Sequence, residues 1–186
     1  MHAPSEQHLV YEEVTLPALD GVPLEGWFIP ADGSQKLIIA NHPMGFSRSG
    51  IPTHLEPWKS IWSSSGNAFE VDFIPDYKIL HDAGYNVLAY DLRNFGLSAA
   101  ANGGIASSGI FESRDVLGSL RYVRDRRDTR NMTIGLFSWC LGCTPQEGAK
   151  HVCVPTSPTP ATVKKKLLWI RGTTTRGTSG TGGTVQ

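Results

Sequence analysis

The stretch best suited to covalent chemistry is Ile134-Gly135-Leu136-Phe137-Ser138-Trp139-Cys140-Leu141-Gly142. An apolar run that reads as a buried strand passes into small-x-nucleophile-x-Gly, and a helix should begin at once. That is the strand–turn–helix setting of a nucleophile elbow. A sharp turn lifts the nucleophile above the sheet, and small residues two before and two after it let the backbone fold tightly beneath. A helix N-terminus there adds positive potential, which lowers a thiol pKa and stabilises an oxyanion. In this frame Cys140 is the nucleophile, Ser138 takes the first small position and Gly142 the second. A second frame makes Ser138 the nucleophile, but its flanking positions are then Leu136 and Cys140, and Leu136 is bulky for so tight a turn. A third reading makes Cys140 a small buried hydrophobe.

The same cysteines admit a different chemistry. Cys140-Leu141-Gly142-Cys143 is C-x-x-C, and His151 and Cys153 follow. Three Cys and one His could hold a structural zinc, and C-x-x-C after a strand could be a redox dithiol. The gap between the pairs is short, and His-x-Cys is an awkward chelating interval. Stoichiometric zinc or a reversible Cys140–Cys143 disulfide would mark these readings.

The elements that must position Cys140 can be read upstream. His8 to Leu16 and Val22 to Pro30 are β-rich and flank Asp20-Gly21, a hairpin signal. Lys36 to Asn41 is almost wholly apolar, as expected of a strand covered on both faces. Pro43 to Asn67 is rich in Gly, Ser and Pro and reads as a long loop, with a turn of helix near Trp58–Trp62. A helix is expected from Pro75 to Asp82, with Gly84 just past its end, then a strand from Tyr85 to Asp91. Ile110 to Arg127 is the clearest helix, with Val116, Leu117, Leu120 and Val123 as its apolar stripe. Arg114, Arg121, Arg124 and Arg127 lie mostly off that stripe and read as a solvated face. A strand over Met132–Phe137 completes an α/β pattern: a mostly parallel sheet of about five strands, opened by an antiparallel hairpin.

Composition agrees for most of the chain and then departs from it. The 186 residues are 40% hydrophobic and 18% charged, a globular balance for one domain. The zero net charge is a split: residues 1–144 carry 11 Lys+Arg against 16 Asp+Glu, and residues 145–186 carry 6 against 1. The basic segment holds four prolines, Lys164-Lys165-Lys166, and a Gly/Thr-rich end from Arg171 to Gln186, with Leu167-Leu168-Trp169-Ile170 as its one apolar island. Such a segment buries too little surface to offset its ordering entropy, so 145–186 is expected to be a disordered tail. A basic arm can bind nucleic acid, but the change after Thr144 is abrupt enough to read as a shifted frame, a retained intron or a truncated gene model. The polar N-terminus lacks a secretory pattern and no apolar run approaches the ~20 residues that span a bilayer, so a cytoplasmic protein is expected.

Three blocks ahead of Cys140 carry a family resemblance. Asp20-Gly21-Val22-Pro23-Leu24-Glu25-Gly26-Trp27, Leu37-Ile38-Ile39-Ala40-Asn41-His42-Pro43-Met44-Gly45, and Gly84-Tyr85 through Asp91-Leu92-Arg93-Asn94-Phe95-Gly96-Leu97-Ser98 stand in order before the elbow. Together they resemble the α/β-hydrolase superfamily over roughly residues 8–144. The resemblance implies an opening hairpin, a third strand with its oxyanion turn, and a fourth strand with its D-x-R-G-x-G-x-S loop. It also implies that the backbone N–H groups of Leu141 and Met44 hold the oxyanion. Pro43 replaces a usual Gly of that turn. A cysteine nucleophile is similar to the dienelactone-hydrolase branch. His42, Asp91 and Arg93 are expected to fix loops rather than react.

The family reading implies hydrolysis of an ester, thioester or lactone-type acyl bond on a small-molecule substrate, with no cofactor. Its general base and orienting acid should follow the nucleophile. After Cys140 the only acid is Glu147 and the only histidine is His151. Eleven residues of helix would set His151 roughly 16 Å along the axis from Cys140, too far to take its proton. Turnover is therefore expected to be very weak or nil, and a non-catalytic fragment is the alternative.

Overall fold

The computed structural model describes residues 2–56, 58–63, 70–139 and the backbone of 165–170. In chain order the elements are β1 (Glu12–Pro17), β2 (Pro23–Ile29), β3 (Lys36–Asn41), β4 (Gly50–Ile51), α1 (Trp58–Ser63), β5 (Val71–Asp72), α2 (Ile74–Asp82), β6 (Asn86–Tyr90), α3 (Ser113–Asp125), β7 (Thr133–Trp139) and β8 (Lys165–Ile170). The expected α/β architecture is present. One sheet runs β1-β2-β6-β3-β7-β8, and β4 and β5 form a separate two-stranded ribbon. The β6-β3-β7 centre is parallel, while β1-β2, β2-β6 and β7-β8 are antiparallel.

The opening hairpin follows from its turn. Gly21 sits at φ +84°, where a side chain would be strained, and the Ala18 N–H donates to Val22 across the loop at 2.8 Å. The residues before it depart from expectation. Pro4–Gln7 form a 3-10 turn, Leu9 turns inward, and β1 begins at Glu12 rather than His8.

Covered on both faces, the parallel centre reads as near-continuous apolar sequence. One face, with Leu37, Ile39, Leu88, Ile134 and Leu136, packs against Val116 and Val123 of α3. The other, with Ile38, Ala40, Val87, Ala89 and Phe137, packs against Ile74 and Tyr77 of α2.

Helix α3 is shorter than the expected Ile110–Arg127, because Glu112 is drawn into the preceding turn. Its carboxylate accepts from the Ser107 and Gly109 N–H groups, both at 2.8 Å. The inward face is also rotated: Asp115, Gly118 and Ser119 are buried, while Leu117 is half-buried. Gly118 allows the close approach, since a Cβ there would meet Pro17 O at 2.4 Å and Ala18 Cα at 2.5 Å. A Gly118→Ala change should gain about 1 kcal/mol of helix propensity and lose about 1–3 kcal/mol to overpacking against rigid backbone. The expected result in urea unfolding is a net loss; a gain would mean that α3 can move off the hairpin.

Three arginines of this region, Arg114, Arg124 and Arg126, have intramolecular work. Arg114 pairs with Asp20 at 2.9 Å, and Arg124 donates to the Arg130 and Met132 carbonyls. Arg126 joins Glu12 and Asp128 and lies over the Phe28 ring at 4.4 Å.

Two further differences concern strands. The stretch expected as loop, Pro43 to Asn67, contains β4, which pairs with β5 just beyond it, and α1 falls where the turn of helix was expected. The segment expected to be disordered contributes β8, which pairs with β7 from Ile134 opposite Ile170 to Trp139 opposite Lys165. The β7 edge is thereby covered from Ile134 to Trp139. Among the described residues, no helix is long and apolar enough to cross a membrane.

Candidate active site

The three parallel strands deliver their C-terminal ends to one edge. Asn41 ends β3, with Tyr90 of β6 and Ser138 of β7 in register on either side. All three side chains are buried. The Tyr90 hydroxyl donates to Asn41 Oδ1 at 2.6 Å, while Asn41 Nδ2 has no partner among the described residues. Burial pushes the Tyr90 phenol well above its ordinary range, so it remains a donor.

Beyond Asn41 the chain turns through His42, Pro43 and Met44, with Gly45 at φ +85°. His42 is fully engaged. Its Nδ1–H donates to the Pro43 carbonyl at 2.8 Å, which leaves Nε2 to accept the Leu92 N–H at 2.9 Å. Burial lowers its pKa and keeps the ring neutral. It therefore ties the β3 turn to the chain leaving β6, and neither nitrogen is free to take a proton from a nucleophile. The Met44 side chain is half-buried against the α3-side core.

The loop after β6 is held from within. Asp91 accepts the Arg48 N–H at 2.6 Å, Arg48 Nη1 at 2.7 Å and the Leu97 N–H at 2.9 Å. Gly96, at φ +54°, is where a Cβ would strike the Asp91 carboxylate, 2.2 Å away. Ser98 donates to the Asp91 carbonyl and accepts the Glu25 N–H. Arg93 pairs with both Asp20 and Asp115, and its guanidinium, with that of Arg114, holds the Asp20 carboxyl well below its ordinary range. Every polar residue of the D-x-R-N-x-G-x-S block thus has a positional task, as expected for Asp91 and Arg93.

Strand β7 runs two residues past its expected end. Ser138 lies inside it, opposite Asn41, and Trp139 is buried on the α2 face. Trp139 stacks on Phe73 at 4.3 Å and meets Phe137 and Tyr77 edge-on. Cys140 and Leu141 lie outside the described residues, as do Cys143, Glu147, His151 and Cys153. Sequence reasoning missed Arg48, Tyr90 and Phe73. Arg48 is 43 residues from Asp91 with no local signal to pair them, whereas Tyr90 was visible as the polar-tipped end of an apolar strand.

No protein-family model and no curated protein matches the chain. Solved structures do. An esterase of Pyrococcus furiosus, Pf2001, aligns with 25% identity and a TM-score of 0.61 over 82% of this chain and 51% of its own. The α/β hydrolase GrgF of a Penicillium species aligns at 17% identity and 0.53, over 76% of this chain and 41% of its own. A dienelactone hydrolase from Anabaena variabilis aligns at 16% identity and 0.52, over 77% and 58%. The chain has the fold of the α/β-hydrolase superfamily. It spans about half the length of the first esterase. Among the described residues, no group of three or more His, Cys, Asp and Glu is placed to hold a metal ion.

Proposed function

We propose that this chain carries the nucleophile side of an acyl-transfer site, with Cys140 as nucleophile and the Met44 and Leu141 amides as oxyanion donors. The observation that carries the reading is the register of β7 on β3. β7 pairs parallel to β3 as far as Ser138 opposite Asn41 and ends at Trp139, beside the point where β3 leads into His42–Met44, and Cys140 is the next residue in the sequence. Ser138, the rival nucleophile, lies within the strand and is wholly buried, a poor place from which to attack. The Met44 N–H donates to none of the described residues, which suits a group kept for a developing oxyanion. The substrate is a small ester, thioester or lactone, and a reducing cytoplasm would keep the three cysteines as thiols.

The same geometry limits the reaction. His42 is committed at both nitrogens, and after Cys140 the sequence supplies only Glu147 and His151 as acid and base. A thiolate formed by loss of its proton to solvent can attack the acyl carbon of p-nitrophenyl acetate. The carbon–oxygen bond breaks, p-nitrophenolate leaves with the electron pair, and the acetyl group remains as a thioester. With His42 committed and unable to activate water, that thioester should persist. The expected result is release of about one equivalent of p-nitrophenolate followed by little turnover, with the burst lost in Cys140→Ala and kept in Ser138→Ala. A burst that survives Cys140→Ala would overturn the assignment. No burst from the unaltered chain would favour the second reading, a non-catalytic fragment, which rests on the same engagement of both His42 nitrogens.

A further inference from the structure

Away from the strand ends, two histidines and two glutamates from three parts of the chain converge. His2 precedes the 3-10 turn, Glu6 lies within it, His54 follows the β4 ribbon strand, and Glu70 stands at the entry to β5. His2 Nδ1 is 2.7 Å from Glu6 Oε2, and His2 Nε2 is 2.6 Å from Glu70 Oε1. The other Glu70 oxygen meets His54 Nδ1 at 2.7 Å, and the two imidazole rings sit edge-on with centroids 6.2 Å apart. A carboxylate only accepts hydrogen bonds, whereas a neutral imidazole has a single N–H. Both His2 contacts therefore require a proton on each ring nitrogen.

We propose that His2 is a proton-operated latch: as an imidazolium it clasps Glu6 and Glu70 together and pins segment 2–9 to the approach to β5, and as a neutral ring it must release one of them. The groups facing His2 are Glu6 on its own turn, Glu70 and Asp72 at β5, and His54 across Glu70; Glu6 also feels the terminal ammonium. The hydrogen bonds to Glu70 and then Glu6 raise the His2 pKa above its ordinary 6.5, and the same contacts lower both carboxyls.

The sign of the pH effect follows from these directions. Because His2 is raised in the folded state, its stabilisation is complete below about pH 6.5 and is lost as pH climbs through the raised value. Because Glu6 and Glu70 are lowered, theirs is present above their ordinary range near 4.5 and is lost as pH falls through the lowered values. The latch is closed between those limits and opens on the alkaline side.

The latch bears on more than the terminus. Leu9, at the end of the clasped segment, packs in the aromatic cluster with Trp27, Phe73 and Tyr77, and the chain from Glu70 leads within three residues to Phe73, which stacks on Trp139. This inference stands independently of the acyl-transfer reading.

The test is NMR on the full chain, following the His2 ring proton across pH and amide protection factors of residues 3–9 at about pH 5.5 and about pH 9. Amides of β3 in the same sample report global stability. His2 should titrate above 6.5, and protection of 3–9 should fall about tenfold for each unit by which it is raised, with β3 little changed. His2→Gln, which keeps a donor nitrogen and cannot titrate, should abolish the pH dependence, and Glu70→Gln should return His2 toward its ordinary value. Equal protection of 3–9 at the two pH values, an unraised His2, or the same pH dependence in His2→Gln would each overturn the latch.

Discussion

Arg93→Met is expected to destabilise the chain by about 3–5 kcal/mol, the effect of leaving one partner of a buried ion pair alone. Arg93 and Asp115 are both wholly buried. The guanidinium reaches Asp115 through Nε at 2.9 Å, Asp20 through Nη2 at 2.7 Å, and Asn102 through Nη1 at 2.8 Å, and its own N–H donates to Asp115 at 3.0 Å. One side chain thus joins the β1–β2 turn, the loop after β6 and helix α3. Burial already pushes the Asp115 carboxyl up, and the charge of Arg93 opposes that push. With Arg93 gone, Asp115 rises further and is neutralised instead. A raised carboxyl costs stability when ionised, so the variant should regain stability as pH falls, the reverse of the behaviour expected of Asp20. Urea unfolding at neutral and mildly acidic pH measures both parts. Arg93→Lys keeps the charge and loses the fork, so it should fall between. A loss under about 1 kcal/mol in Arg93→Met would show that water reaches this site.

Trp139→Ala should cost about 3–5 kcal/mol, the usual range for truncating a buried aromatic. The indole is closed in by Phe73 at 4.3 Å, Phe137 at 4.6 Å and Tyr77 at 5.9 Å, so little can collapse into the space left. Trp139→Phe should be far milder. It keeps part of the stack and removes an indole N–H that has no partner among the described residues, an omission that itself costs about 1–3 kcal/mol. Thermal unfolding of the two variants side by side decides the matter. If both lose equally, the ring's full size is what holds the end of β7. Because Trp139 immediately precedes Cys140, the Ala variant should also blunt the selectivity of thiol acylation.

Much of this arrangement is visible in residue types, where the cause is local. Asp20-Gly21 marks a turn because Gly21 takes a positive φ, and Lys36–Asn41 marks a central strand because both of its faces are covered. The limits of α3 were hidden because Glu112, which looks like a helix residue, spends its carboxylate on the loop before the helix. The β4–β5 ribbon has two residues per strand, too few for any period to show. β8 was hidden by its surroundings, since a short apolar island among Thr, Gly and Lys becomes a strand only when an edge such as β7 is there to pair with it. At the site, the structural tasks of His42, Asp91 and Arg93 could be expected from their block. The Arg48–Asp91 pair could not, because ion pairs across 43 residues leave no local trace.

The central claim is that Cys140 is the acyl-accepting nucleophile, and peptide mapping by mass spectrometry tests it most directly. The chain would be treated with a slight excess of p-nitrophenyl acetate, quenched in acid and digested. One acetyl group on Cys140, with Cys143, Cys153 and Ser138 unmodified and no adduct in Cys140→Ala, is the result this account predicts. Acetyl spread evenly over the three cysteines, or found on Ser138, would contradict it.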